Sequence, residues 1–378
     1  MQTTLDTFIF GSETYPRYFI FDWCKKRAYF DFKNPNPKTV SSIHFVKKVR
    51  DTHFGFVNVI LVNKPIDVNE RGSILSFNWN ELDKLEQQIE DKHKVIRNVA
   101  ILKSSLQKMI RRMNPILALR SAYTLLHLKP AVFLRRLLVI MVEDSYIHSF
   151  FTEICWYMMA CTNYELDMED VDYLMNMVYT LSKCEMHRSF RANTNGNKNI
   201  QIMIKEMKKR MDESVDIDSD FMNRMSLIIA IYFREQYGGL EGDLHMLDNL
   251  RNCLFDNNKH SVFIIDKLIS LALEDDGNDN VSRDESYRFL ILNDIDISAI
   301  DFHCCPEMVG FIQKKLPKMP DYMIKQIMWR QSSGINYRKK SKDKSEKQMN
   351  EEKVWNDDIK PIWISWLREN SKRVIEGY

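Results

Sequence analysis

Three stretches carry side chains whose types and spacing could do chemistry. The first is a block of positive charge. From Lys92 to Ile140 there are 11 Lys and Arg and no Asp or Glu, and Lys103, Lys108, Arg111 and Arg112 fall partly on one helical face. With Arg120, Arg135 and Arg136 they form a set suited to neutralising phosphates. The second stretch, NDIDISAIDFHCCPEM (293–308), brings together Asp294, Asp296, Asp301, His303, Cys304 and Cys305. A cysteine beside His303 suggests an activated thiol nucleophile. Adjacent His-Cys-Cys lacks the gap that lets one loop chelate zinc, so no metal site is expected. The third, MWRQSSGINYRKK (328–340), interleaves Trp329, Arg330, Tyr337 and Arg338 about a Ser-Ser-Gly turn, a pattern able to stack on and clamp a single strand.

Each stretch also has a plainer reading. Acidic blocks balance the basic ones: eight acids and no Lys or Arg run from Glu143 to Asp172, and Glu274 to Asp301 holds nine acids against two arginines. The blocks would then pair inside the fold, with Arg135 or Arg136 set against Glu143 or Asp144. Residues 293–308 would be a buried turn entering a helix at Pro306, and 328–340 a loop leading into a basic run. No P-loop, dinucleotide fingerprint, HExxH, GxSxG or EF-hand occurs in the sequence. A non-catalytic protein without a cofactor is expected.

Composition bounds the architecture that must position these residues. The 378 residues are 44% hydrophobic and 28% charged, with 54 Lys and Arg against 52 Asp and Glu and a formal net charge of +2. Disordered, collagenous and disulfide-scaffold classes are excluded. Seven cysteines without a CxxC pair, several inside apolar runs, read as buried free thiols in a reducing compartment. The opening residues lack a basic region ahead of an apolar run, and apolar stretches such as Leu137 to Val142 are too short to span a bilayer. An intracellular, cytoplasmic or nuclear protein without membrane contact is expected.

The expected fold is mainly α, with a small N-terminal α/β unit packed on a large multi-helix domain. Residues 1–78 form the α/β unit: strands over 17–23, 27–32 and 56–63, and a crossover helix over 40–54. Residues 79–336 form the all-α domain, with a helix over 80–113 and two more opened by Pro115 and Pro130. Further helices are expected near 146–162, 168–184, 199–212, 219–236, 243–255, 260–274 and 284–292, with loops at 187–199 and 274–285. Residues 337–353 read as a charged, disordered linker. Residues 354–378 read as a helix whose Trp355, Ile359, Ile362, Trp363 and Trp366 dock back on the body.

Residues 103–144, KSSLQKMIRRMNPILALRSAYTLLHLKPAVFLRRLLVIMVED, resemble the C-terminal helical region of AAA+ ATPases of the Werner-helicase-interacting/RarA type. Lys103, Ser104, Ala118, Arg135, Arg136, Leu137, Glu143 and Asp144 match in order. The stretch before Arg135 departs in length, and the ATPase core of that family is absent. The resemblance covers about a tenth of the chain. It implies a helical oligomerisation or DNA-maintenance module, with a homo-oligomer among the expected assemblies, and carries no ATPase activity with it.

Together these readings point to a non-catalytic nucleic-acid-binding accessory protein in DNA replication or repair, partnered by DNA or RNA and by replication or repair proteins. Its phosphate contacts would be Lys103, Lys108, Arg111, Arg112, Arg120, Arg135, Arg136, Arg330 and Arg338. The alternatives are a helical protein-protein interaction scaffold without nucleic-acid contact, and an enzyme with a site around Asp301, His303 and Cys304.

Overall fold

The computed structural model describes residues 16–65, 95–145, 147–148, 150–184, 200–213, 219–255, 289–291, 293–300, 305–332 and 344–376. Strands β1 (Tyr18–Asp22), β2 (Arg27–Asp31), β3 (Ile43–Asp51) and β4 (Gly55–Val62) form one mixed sheet in the order β2-β1-β4-β3. Alternation sends Phe19, Phe21, Ala28, Phe30, Val57, Val59 and Leu61 to one buried face. β1 runs antiparallel to β2 and parallel to β4, and β3 is antiparallel to β4 with a bulge between Phe45 and Lys47.

The expected crossover helix over 40–54 is strand β3. Ile43, Val46 and Val49 are spaced for a helical stripe, but all three are β-branched, and the tight turn at Gly55 (φ 74°) folds this segment back onto β4.

The rest of the described chain is mostly helical. The helices are α1 (Val99–Arg111), α2 (Pro115–Leu128), α3 (Pro130–Asp144), α4 (Phe151–Ala160), α5 (Met168–Lys183), α6 (Ile200–Glu213), α7 (Ser219–Gln236) and α8 (Glu241–Phe255). Local signals set their starts. Asn98 caps α1 by accepting from the Ala100 and Ile101 amides, and Asn114 caps α2 ahead of Pro115. Asp167 and Asp170 form a capping box on α5.

Helix α4 is buried on every side, so it lies inside the core rather than on it. Trp156 from α4 donates its indole N–H towards the carbonyl oxygens of Phe19 (3.2 Å) and Ile60 (3.1 Å), tying the helix to β1 and β4. At the β2 edge of the sheet, the amides of Ala28 and Phe30 donate to Glu153 Oε1 and Ser226 Oγ, both at 3.1 Å.

A second apolar cluster is built from α9 (Pro306–Lys315), α10 (Asp321–Ser332), α11 (Glu346–Val354) and α12 (Lys360–Glu376). Disorder expected over 337–353 gives way to helix over 346–354, because Ser345 and Gln348 close a capping box. A π-helical turn, Trp355–Ile359, joins α11 to α12. Pro361 explains it: the ring has no N–H for the Asp357 carbonyl, and the Lys360 amide bonds to Trp355 O instead. The terminal helix does dock through Trp355, Ile359, Trp363 and Trp366, but in this second cluster. Between the two clusters runs a strap, residues 293–300, that ends in a 3-10 turn (Ile297–Ala299). Ala299 and Ile300 belong to the main core, and Ile297 packs against the second.

Of the expected elements, residues 80–94 of the first long helix, the 260–274 helix and the loops at 187–199 and 274–285 lie outside the described residues. So do Asp301, His303, Cys304, Tyr337 and Arg338.

Candidate nucleic-acid interface

Helix α1 presents its basic residues to the strap and to the end of α3. Lys108 Nζ lies 3.3 Å from Ser298 O and 3.4 Å from Ile300 O. Ser104 donates to Ala299 O at 2.6 Å. Arg112 reaches Asp296 Oδ2 at 2.6 Å, Ser298 Oγ at 2.7 Å, and the carbonyl of Ser332 at the end of α10 at 3.2 Å. Arg120 of α2 pairs with Asp294 at 2.9 Å. The carboxylates Asp294 and Asp296, singled out as catalytic or ligating candidates, are therefore ion-pair partners of two arginines singled out as phosphate contacts.

Arg111 is 8% exposed, and its Nε donates to the fully buried Asp144 at 2.5 Å. Gln107 Nε2 bonds to Asp144 at 2.7 Å and to Glu143 at 2.8 Å. Burial and the neighbouring Asp144 push the Glu143 carboxyl upward, and Arg111 and Arg136 pull it back. The acids at the end of α3 thus pair with Arg111 from α1. Arg135 instead donates to Gly238 O (3.3 Å), and Arg136 lies 3.7 Å from Asp243. Eight residues of α3 separate Arg135 from Glu143, about two turns, so a partner from another helix is required. Gly238 holds a φ of 73°, which exposes its carbonyl to both Arg135 and Arg234. Burial and the Arg135 charge lower the Arg234 guanidinium to about 10.

Arg330 is held in the second cluster by both oxygens of Glu351, at 2.6 and 2.8 Å. Lys103 is half-buried and makes no ion pair with the described residues. Arg338 lies outside them. The structure therefore brings Lys108 and the arginines of α1–α3, but not Lys103, together with acids and carbonyls of the fold.

Exposed cations without an ion pair to the described residues stand on α9 and α10, as they also do at Lys33, Lys38, Lys48, Arg50 and Lys129. Lys314, Lys315, Lys318 and Lys325 are exposed and form no ion pair with the described residues. Beside them, α10 carries Tyr322 (71% exposed) and Trp329 (70%), while Ile324, Ile327 and Met328 bury its opposite side. Tyr322, Lys325, Gln326 and Trp329 stand three, four and seven residues apart and share one exposed face. Trp329 was legible as a candidate for stacking. The stripe was not, because aromatics at helical spacing ordinarily mark a core.

Other polar clusters missing from the sequence reading are internal. Asp170 is fully buried and accepts from Tyr157 (2.7 Å), Tyr164 (2.8 Å) and Lys64 (2.9 Å). Tyr232 places its hydroxyl 2.9 Å from Asp51 and 2.8 Å from His53. Among the described residues, no group of three His, Cys, Asp or Glu is arranged to hold a metal ion, and no helix is long and apolar enough to cross a membrane. No protein-family model, curated protein or solved structure matches the chain.

Proposed function

We propose that the protein is a non-catalytic, nucleic-acid-binding accessory protein whose phosphate contacts lie on α9 and α10 rather than on α1–α3. One contrast carries this reading. Arg111, Arg112, Arg120 and Arg136 of the basic block are engaged by Asp144, Asp296, Asp294 and Asp243, whereas Lys314, Lys315, Lys318 and Lys325 face solvent without a carboxylate partner among the described residues. A cation already held in a buried pair has little left to offer a phosphate, and an exposed one releases its counterions on binding. The likeness of residues 103–144 to the helical region of the RarA-type ATPases supports a place in DNA maintenance.

Fluorescence-anisotropy titration with labelled nucleic acid at 50 and 200 mM salt tests it. Binding is expected to weaken steeply with salt. Lys318→Glu/Lys325→Glu should reduce affinity by roughly ten-fold or more and flatten the salt slope by about one per lost contact. No binding at low salt, or an unchanged affinity in the double variant, overturns the proposal.

A second reading, a helical protein-protein scaffold, is favoured by the same internal neutralisation and by exposed apolar area at Met323 and Met349 (43% and 48%). It expects a partner interaction that responds little to salt.

A further inference from the structure

We infer that the α10 stripe selects single-stranded nucleic acid over duplex, with Tyr322 and Trp329 each taking the face of one base and Lys325 the phosphate between them. The inference rests on the binding reading above and adds the substrate class.

The two rings are the most exposed aromatics among the described residues, so neither contributes much to the core. An aromatic ring left in water at that level of exposure is free to stack, and every base offers a π-face. Duplex bases are stacked on both faces and offer none, whereas an unpaired strand splays them out. Helix geometry fixes the spacing. Seven residues separate the two side chains, about 10 Å along the axis. Nucleotides in a stacked strand advance about 3.4 Å each and in a splayed strand more, so the two rings address bases no more than about three steps apart.

Lys325 lies on the same face between the rings and makes no ion pair with the described residues, and Lys318 precedes the helix by three residues. Gln326 sits between Tyr322 and Trp329 with an amide able to reach a base edge. The one carboxylate of α10, Asp321, stands at its first position and not between the rings. Behind the stripe, Ile324, Ile327 and Met328 anchor the helix in the second core, so the platform is rigid before any ligand arrives. The exposed lysines, without an ion pair among the described residues, are what favour an anionic strand over an apolar protein surface.

The test uses the full chain with a labelled twelve-nucleotide heteropolymer, offered as a single strand and as its blunt duplex. Trp329→Ala and Trp329→Phe are compared with the parent, with circular dichroism as the folding control. The single strand is expected to bind at least about ten-fold more tightly than the duplex. Trp329→Ala should lose about ten-fold on the single strand and leave the duplex unchanged, and Trp329→Phe should stay within about two-fold of the parent. Equal affinity for both forms, unaffected by Trp329→Ala but weakened by Lys325→Gln, overturns the selectivity and leaves phosphate binding standing. No binding of either form at 50 mM salt removes both, and assigns the stripe to a protein partner.

Discussion

Two buried carboxylates show how the surroundings of a residue decide its chemistry. Asp144 is fully buried, and Arg111 and Gln107 both donate to it. Removing Arg111 leaves a carboxylate in the core without its counter-charge. Arg111→Ala is expected to cost about 3–5 kcal/mol in urea unfolding, and Arg111→Ala/Asp144→Ala clearly less than the sum of the single changes. Additive losses would mean the two are not coupled. Glu153 is the opposite case. It is buried without a cation bonded to it, its Oε2 has no hydrogen-bond partner, and desolvation pushes its pKa up to about 8. The folded value lies above the unfolded one, so the native state keeps a proton that the unfolded chain has lost. Stability from this group is complete below the unfolded pKa and is lost as pH rises towards 8, by up to about 1.4 kcal/mol per unit. Glu153→Gln should therefore gain on the parent steadily between pH 5 and 8. Unfolding curves that stay parallel over that range would show that Glu153 is not protonated in the native state.

Among the elements, the strap at 293–300 depends most on side chains far away in sequence. It has only one short helical turn of its own, and its carbonyls and acids are taken up by Ser104, Lys108, Arg112 and Arg120. Arg112 also reaches the end of α10, so one guanidinium joins α1, the strap and the second cluster. Arg112→Ala is expected to raise amide hydrogen exchange at Ala299 and Ile300 while α4, inside the core, keeps its protection. Unchanged exchange at those two amides would mean that apolar contacts alone hold the strap. Elements with strong local signals needed no such help. Pro115 and Pro130 open α2 and α3, and α7 spans the expected 219–236, because proline geometry and helical spacing act within a few residues. β3 misled because its β-branched residues suit either period, and only pairing with β4 separates them. The charged stretch at 346–354 misled because composition says nothing of a cap, and the Ser345–Gln348 box is enough to start a helix.

At the scale of the molecule, a net charge of +2 conceals two different distributions. One is internal, where the basic block of α1–α3 meets acids from α3, α8 and the strap. The other is external; it includes the lysines of α9 and α10, and these are the ones proposed to meet nucleic acid. The first ties α1, α2 and α3 to one another, to α8 and to the strap through ion pairs between elements. The second is left available for a ligand.

The sequence by itself determined what acts locally: a mainly helical chain with a small N-terminal set of strands, most helix starts, and a run of positive charge opposed by runs of negative charge. It also marked Trp329 as an aromatic among bases. Tertiary structure alone decided which charges neutralise one another. Arg111 meets Asp144 across 33 positions, and Arg112 meets Asp296 across 184. It alone turned Tyr322 and Trp329 outward while their helix neighbours filled a core. The physical reason is common to all of these cases. Helical period and capping are short-range properties of a chain, whereas burial and ion pairing belong to the neighbours that folding supplies.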